Sequence, residues 1–95
     1  MGLICEAIKA RKQLSFRYEG RDRIVAPFLC GEHKDGHMLL IAWCLQGSKS
    51  TNKPDWRTYS LDEMSSIQIL KHEFIEIPTG YNRNDERFER IDCRV

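Results

Sequence analysis

Arginines beside aromatic rings are the side chains in this sequence best suited to hold a ligand. Four arginines and two aromatic residues lie on or near predicted strands: Arg17, Arg21, Arg23, Arg57, Tyr18 and Trp56. A guanidinium group offers a planar fork of donors that matches a phosphate group, and nucleobases stack on aromatic rings. The combination predicts a site for an anion or for single-stranded nucleic acid. An ordinary strand, with Arg17 in solvent and Tyr18 in the core, explains the same residues.

A second group of side chains has spacings that a metal could use. Cys30, His33 and His37 fall on a turn between two predicted strands. A structural zinc site needs four ligands, and the fourth would have to be Cys44, Cys5 or His72. A hairpin tip with scattered polar residues accounts for the same pattern, and we expect no metal and no cofactor.

Catalytic chemistry has little support in the sequence. The adjacent acids 62–63 and 85–86 lie at a turn and near a predicted helix start, where capping explains them. The chain has no nucleophile elbow, no phosphate-binding loop and no HExxH motif. We therefore expect a binding protein and not an enzyme.

Length and composition describe an ordinary globular protein. The 95 residues fit one domain, 1–95, and a net charge of +1 gives no overall attraction to nucleic acid or membranes. The longest apolar run is about half of a membrane-spanning helix. The four cysteines are Cys5, Cys30, Cys44 and Cys93, with no CxxC pair. We expect them to be reduced thiols in a cytoplasmic protein.

The stretch 37–45, HMLLIAWCL, is the most apolar part of the chain. Both alternating sets of its side chains are apolar, which predicts a strand covered on both faces, the central strand of a sheet. Residues 3–12 are predicted to form a short amphipathic helix that packs on this sheet.

The remaining segments predict short antiparallel strands. Residues 14–18 alternate cleanly, and 23–26 follow after a turn and end at Pro27, so the two form a hairpin. Further strands are predicted at 56–61 and 67–70, and a polar loop at 46–55. From Asp85 the pattern becomes helical.

These elements predict a mainly β fold with α. The expected form is a small, bent, five-stranded antiparallel sheet or an SH3/Sm-like barrel, with an N-terminal helix and a short C-terminal helix or turn.

In this order of elements the chain resembles the WYL domain of bacterial regulators. Five further motifs accompany the strand Met38–Cys44, whose family form is WYLLAYC. They are the helix pair Ala7-Ile8, L-x-F-x-Y at 14–18, R-x-V-x-P at 23–27, a phrase like FRLDRI at 59–64, and the tail 78–82. The resemblance implies a ligand-sensing domain whose positively charged pocket binds nucleic acid or a nucleotide-like ligand. It also implies a role in transcription regulation.

The chain departs from the family pattern at the pocket. Leu40 alone remains of the W-Y-L tripeptide, and Ser60 and Glu63 replace the two arginines of FRLDRI. Family members usually follow a helix-turn-helix domain, so we expect this chain to be a short, divergent, free-standing member.

Two functions from different classes follow from the sequence. In the first, the chain binds single-stranded nucleic acid or a small anionic ligand through Tyr18, Arg21, Arg23 and Arg57. In the second, it has lost the ligand site and is a protein-interaction module, as a homodimer or with another protein partner.

Overall fold

The computed structural model describes residues 2–46 and 55–95, so most of the predicted loop 46–55 lies outside the described residues. Helix α1 comes first, and a 3-10 turn, Leu61–Glu63, precedes β5. The elements are α1 Gly2–Ala10, β1 Lys12–Tyr18, β2 Arg21–His33, β3 Met38–Gln46, β4 Asp55–Ser60, β5 Ser65–Glu73 and β6 Phe88–Arg94. The mainly β fold with an N-terminal helix is thus confirmed.

All strand pairs are antiparallel, and β2 lies at the centre of the sheet. The order is β4-β3-β2-β1-β5, and β6 also pairs with β2. Strand β2 is long enough for β1 to pair with its first half and β6 with its second half, while β3 follows its other edge. In the described part of the chain the sheet therefore has six strands instead of five, and β3 is next to the centre. Within the described residues β4 and β5 do not pair, so the sheet is open.

Pro27 does not end a strand, which corrects the prediction from the sequence. Strand β2 runs through it to His33, and the pairing with β3 shifts register between Pro27 and Leu29. A proline has no N–H for the ladder, and an irregularity of this kind is where a strand tolerates it.

One face of the sheet carries the main core, and α1 covers it. The helix buries Ile4, Ala7 and Ile8, as its amphipathic pattern predicts. The other residues of this core are Leu14, Phe16, Tyr18, Val25, Cys30, Leu40, Ala42, Cys44, Tyr59, Met64 and Cys93. We call this side of the sheet the core face.

The opposite face, here the outer face, has a smaller aromatic cluster. Phe28 is fully buried there, with its ring centroid 5.1 Å from Trp56, 4.9 Å from Phe74 and 5.1 Å from Tyr81. Residues 74–81 thus cover part of this face, which explains why β3 is apolar on both sides.

The C-terminal helix predicted from Asp85 is wrong, because Phe88–Arg94 is strand β6. The sequence spacing misleads because β6 pairs with β2 through two register shifts. The irregularity between Glu32 and His33 puts Phe88 and Ile91, three positions apart, on the same face of the strand, which is a spacing typical of a helix.

The expectation of four reduced cysteines is also wrong. Cys5 on α1 and Cys93 on β6 form a disulfide, with their Cα atoms 5.6 Å apart. Cys30 and Cys44 are buried thiols. The spacing of the cysteines could not reveal this bond, because it depends on α1 and β6 being neighbours at the two ends of the chain.

The close approach of β6 to Gly31 leads to a testable prediction. A Cβ atom added at Gly31 would lie 2.1 Å from the Arg90 carbonyl oxygen and 2.9 Å from the Ile91 Cα atom. Both atoms are backbone, so Gly31→Ala has to displace β6 and should cost about 1–3 kcal/mol in the free energy of unfolding. Urea denaturation measures this. Gly2→Ala, where nothing lies within 4 Å, is the control. Equal stability of the two variants would contradict the prediction.

Candidate functional site

The first hairpin places Tyr18 and Arg23 on the core face. Its two-residue turn has positive φ at Glu19 and Gly20, 52° and 75°, as the type I′ turns that suit the twist of a hairpin require. This turn pairs Phe16 with Arg23 and Tyr18 with Arg21. Because paired residues share a face and Phe16 is in the core, Arg23 points into the protein.

Arg23 is a buried charge with incomplete compensation. It is 5% exposed, and its Nη2 donates a hydrogen bond to the Tyr18 carbonyl oxygen at 3.3 Å. The guanidinium carbon lies 5.7 Å from the centroid of the Tyr18 ring, and the exposed Glu19 carboxylate is 3.7 Å from Nη2. The buried Nε has no hydrogen-bond partner within the described residues. Burying a guanidinium is costly unless its charge and donors are matched.

The Tyr18 hydroxyl is held by two neighbours near the end of β4. It donates to a Glu63 carboxylate oxygen at 2.9 Å and accepts from the Ser60 N–H at 3.1 Å. Burial is the main cause that raises the pKa of Tyr18, and the Glu63 contact adds to it. The carboxylate of Glu63 therefore lies directly against the Tyr18 hydroxyl, at the end of the core face.

Tyr59 links the two arginines, and the sequence did not single it out as a site residue. It is 2% exposed, and its ring centroid lies 5.0 Å from that of Tyr18. Burial raises its pKa most, the Cys44 thiol raises it further, and the charges of Arg23 and Arg57 act to lower it. Both arginines thus act on this one hydroxyl.

Arg57 reaches the core face from the edge strand β4. It pairs with Ala42, and Tyr59 pairs with Leu40, which are both fully buried. The side chain of Arg57 is about one-third exposed and lies 3.9 Å from the Asp55 carboxylate. Arg57 also lines a cavity of about 570 Å³ between Trp56 and residues 80–87, which lies on the outer side of β4 and is separate from the core-face group.

The other predicted residues separate into two groups. Arg21 pairs with Tyr18 at the exposed end of the hairpin, on the same face as Arg23. Arg17 is on the opposite face, with its Nη1 3.2 Å from the Asp22 carboxylate. Trp56 is on the outer face too, and its Nε1 donates to the Thr79 carbonyl oxygen at 2.8 Å. The structure thus brings Tyr18, Arg23 and Arg57 together around Tyr59, with Arg21 at the rim.

Carboxylates balance the charge of this group. Glu19 lies beside Arg23, Asp55 beside Arg57 and Glu63 beside Tyr18. These carboxylates reduce the attraction for an anion, so we expect the site to bind weakly and to depend on salt.

The cysteine–histidine pattern does not form a metal centre in the described residues. Cys30 is fully buried in the core, whereas His33 and His37 are at the tip of the β2–β3 hairpin. The Nδ1 atoms of both histidines lie 3.1 Å from the Asp35 carboxylate. The His37 N–H and side chain, and to a lesser extent His33, lower the pKa of Asp35 to about 2. Residues 2–46 and 55–95 contain no group of three His, Cys, Asp or Glu that could hold a metal ion.

Comparison with known proteins agrees with this arrangement of elements. The family model of the WYL domain matches residues 1–69, which takes in α1, β1 to β4 and the first part of β5. No curated protein and no solved structure matches the sequence. The matched residues are more than half of the chain and include the whole first hairpin and Arg57. The chain belongs to the WYL domain family.

Proposed function

We propose that residues 1–95 are a single ligand-sensing, regulatory domain that binds a phosphate-bearing ligand on its core face. The ligand is single-stranded nucleic acid or a small nucleotide-like anion, and the binding residues are Tyr18, Arg21, Arg23 and Arg57. The family match supports a regulatory ligand-sensing module in general. The observation that carries the proposal is the buried, incompletely paired Arg23.

A bound anion would supply the close negative charge that the protein does not give Arg23. The carboxylate of Glu19 is 61% exposed and 3.7 Å away, so water screens its attraction. Because Nε is itself buried, a phosphate oxygen would reach the guanidinium from the exposed Glu19 side, where it could replace that screened contact at Nη2 with a charge-assisted hydrogen bond. Arg21 and Arg57 add two cations on the same face of the sheet.

Tyr18 has a positioning role in this proposal. Tyr18 is 9% exposed and its ring packs edge-to-face against Phe16 and Tyr59, so a base cannot stack on it without rearrangement. Its carbonyl oxygen and ring hold Arg23, and its hydroxyl holds Glu63. Phosphate recognition therefore supplies most of the affinity, and base stacking supplies little.

We also propose that the domain is a binding module and not an enzyme, and that it works in the bacterial cytoplasm. No helix in the described residues has the length and apolar composition to cross a membrane. A cytoplasmic setting requires that the Cys5–Cys93 bond can be reduced, because that compartment keeps thiols reduced.

Anisotropy titrations test the ligand proposal. Labelled single-stranded DNA and RNA are titrated at two salt concentrations, and adenosine monophosphate and inorganic phosphate serve as competitors. We expect a Kd in the micromolar range at low salt that weakens as salt rises, since each neutralised phosphate releases counterions. Binding that does not saturate at high micromolar protein in low salt would contradict a nucleic-acid ligand.

Matched variants locate the site. We expect Arg23→Ala together with Arg57→Ala to weaken binding at least about tenfold, which corresponds to the loss of one good charge-assisted contact. Arg17→Ala is the control, because Arg17 is on the opposite face and pairs with Asp22. Circular dichroism checks that Arg23→Ala, a change at a buried residue, leaves the fold intact. If the double variant does not fold, Arg57→Ala alone should still weaken binding. Equal effects of Arg17→Ala and Arg57→Ala would place the site elsewhere.

Glu63 offers a change in the opposite direction. Glu63→Gln keeps an acceptor for the Tyr18 hydroxyl and removes the negative charge. We expect this variant to bind more tightly than the parent, with the gain largest at low salt. Unchanged affinity would mean that the ligand does not approach this end of the core face.

A protein-interaction module is the second candidate, and exposed apolar side chains favour it. Ile75 is 85% exposed and Ile77 49%. They follow Phe74 on a segment that borders a groove of about 320 Å³ lined by Phe28 and Trp43. For this function we expect self-association or partner binding that Ile75→Asp abolishes. Sedimentation of a single monomeric species at a protein concentration of about 100 µM would contradict the homodimer form.

A further inference from the structure

We propose that Cys5 and Cys93 form a reversible thiol–disulfide latch that fastens α1 to β6, opened by a dithiol reductant. The bond joins the first helix to the last strand across 88 positions of sequence. Cys5 lies within the residues that match the WYL family model, and Cys93 lies beyond them. The latch is independent of the ligand proposed above.

The two sulfur atoms differ in their access to solvent. Cys93 is 6% exposed and belongs to the core, whereas Cys5 is only partly buried and packs against the edge of that core. Exchange begins with a thiolate that approaches one sulfur of the bond, so its rate depends on which sulfur can be reached. A reductant therefore attacks Cys5.

The reductant opens the bond in two successive thiol–disulfide exchanges. One thiolate of the dithiol attacks the Cys5 Sγ, the Cys5–Cys93 bond breaks, and the Cys93 sulfur leaves as a thiolate that takes up a proton. The second thiol of the reductant loses its proton and attacks the mixed disulfide, which releases Cys5 as a thiolate that is protonated in turn. The reductant becomes a cyclic disulfide and supplies two electrons. A disulfide oxidant such as oxidised glutathione reverses the reaction.

The neighbouring thiol Cys30 does not compete for the bond. It faces Cys93 directly in the β2–β6 register and is fully buried. Burial is the main cause that raises the pKa of its thiol to about 11, so little thiolate is present at neutral pH. Because the thiolate is the nucleophile, the bond stays between Cys5 and Cys93.

Opening the latch loosens α1 more than β6. The helix has nine residues, too few to be stable alone, and without the bond it depends on the packing of Ile4, Ala7 and Ile8. Strand β6 keeps its backbone pairing with β2, and the Val95 N–H donates to the Phe28 carbonyl oxygen at 2.8 Å. Beyond the loss of overall stability that breaking such a cross-link brings, the N-terminus therefore loosens most.

Hydrogen exchange with peptide mapping tests the latch. Protein oxidised with glutathione disulfide is compared with protein reduced by dithiothreitol, and the exchange rates of α1 amides are divided by those of β3 amides. We expect this ratio to rise at least tenfold on reduction and to return on reoxidation. We also expect iodoacetamide to label Cys5 before Cys30 and Cys44. Cys30→Ala is the control and should behave like the parent.

Four results would overturn the latch. The first is an oxidised peptide map without a Cys5–Cys93 bond, and the second is a bond between Cys30 and Cys93 in its place. The third is an exchange ratio that does not change on reduction. If the rates of α1 and β3 amides rise by the same factor, the bond stabilises the whole fold and does not hold α1 in particular. The fourth is complete loss of near-ultraviolet circular dichroism on reduction, because the bond would then hold the whole fold.

Discussion

Reduction of the Cys5–Cys93 disulfide is expected to lower the free energy of unfolding by about 4–5 kcal/mol. A cross-link acts chiefly on the unfolded chain, whose conformational freedom it restricts in proportion to the logarithm of the loop length. This bond closes nearly the whole chain, since its cysteines are 88 positions apart. The loss is a large share of the 5–15 kcal/mol that usually keeps a domain folded. Urea denaturation with and without reductant measures it.

The double variant Cys5→Ser with Cys93→Ser isolates the bond from other effects of the reductant. We expect this variant to be less stable than the oxidised parent and to show the same midpoint with and without reductant. The buried thiols Cys30 and Cys44 remain in both proteins. A parent midpoint that reductant leaves unchanged would contradict a closed bond in solution.

Local periodicity was sufficient to predict the elements that pair regularly. Helix α1 and strand β1 lie within two residues of their predicted bounds, since an amphipathic stripe and a clean alternation each reflect one buried face. Strand β6 could not be predicted in this way. Its two register shifts change which residues face the core, and the spacing of Phe88 and Ile91 then resembles a helix.

Contacts between distant segments set the limit of sequence reasoning. The order of the strands places β2 at the centre because three strands pair with it, and no local pattern carries that information. The disulfide has the same cause, since α1 and β6 meet only after the sheet has formed. A run apolar on both sides, such as β3, indicates cover on both faces but not which strand is central.

Part of the candidate site could be predicted from the sequence. Alternation places Arg57 and Tyr59 on one face of β4, and the register places that face against the core. Arg17 could be assigned to the opposite face for the same reason. The contact of Glu63 with the Tyr18 hydroxyl joins residues 45 positions apart, so only the folded chain reveals it.

Replacing Leu40 with alanine is expected to cost about 2–5 kcal/mol in the free energy of unfolding. Leu40 is fully buried on β3, between Cys30 on β2 and Tyr59 on β4. Removing most of its side chain takes away apolar contacts and leaves a cavity that two hydrogen-bonded strands cannot close. Thermal and urea unfolding of the oxidised protein measure the cost.

Leu45→Ala is the matched control, because it removes the same atoms from the same strand at a site that is 37% exposed. We expect it to cost less than Leu40→Ala, since more than a third of Leu45 stays in water on folding and no closed cavity remains. The difference between the two variants therefore measures how much more Leu40 is buried than Leu45. The intrinsic preference of a strand for leucine over alanine cancels in this comparison. If Leu40→Ala melted within a degree or two of Leu45→Ala, Leu40 would not lie in the core of the sheet.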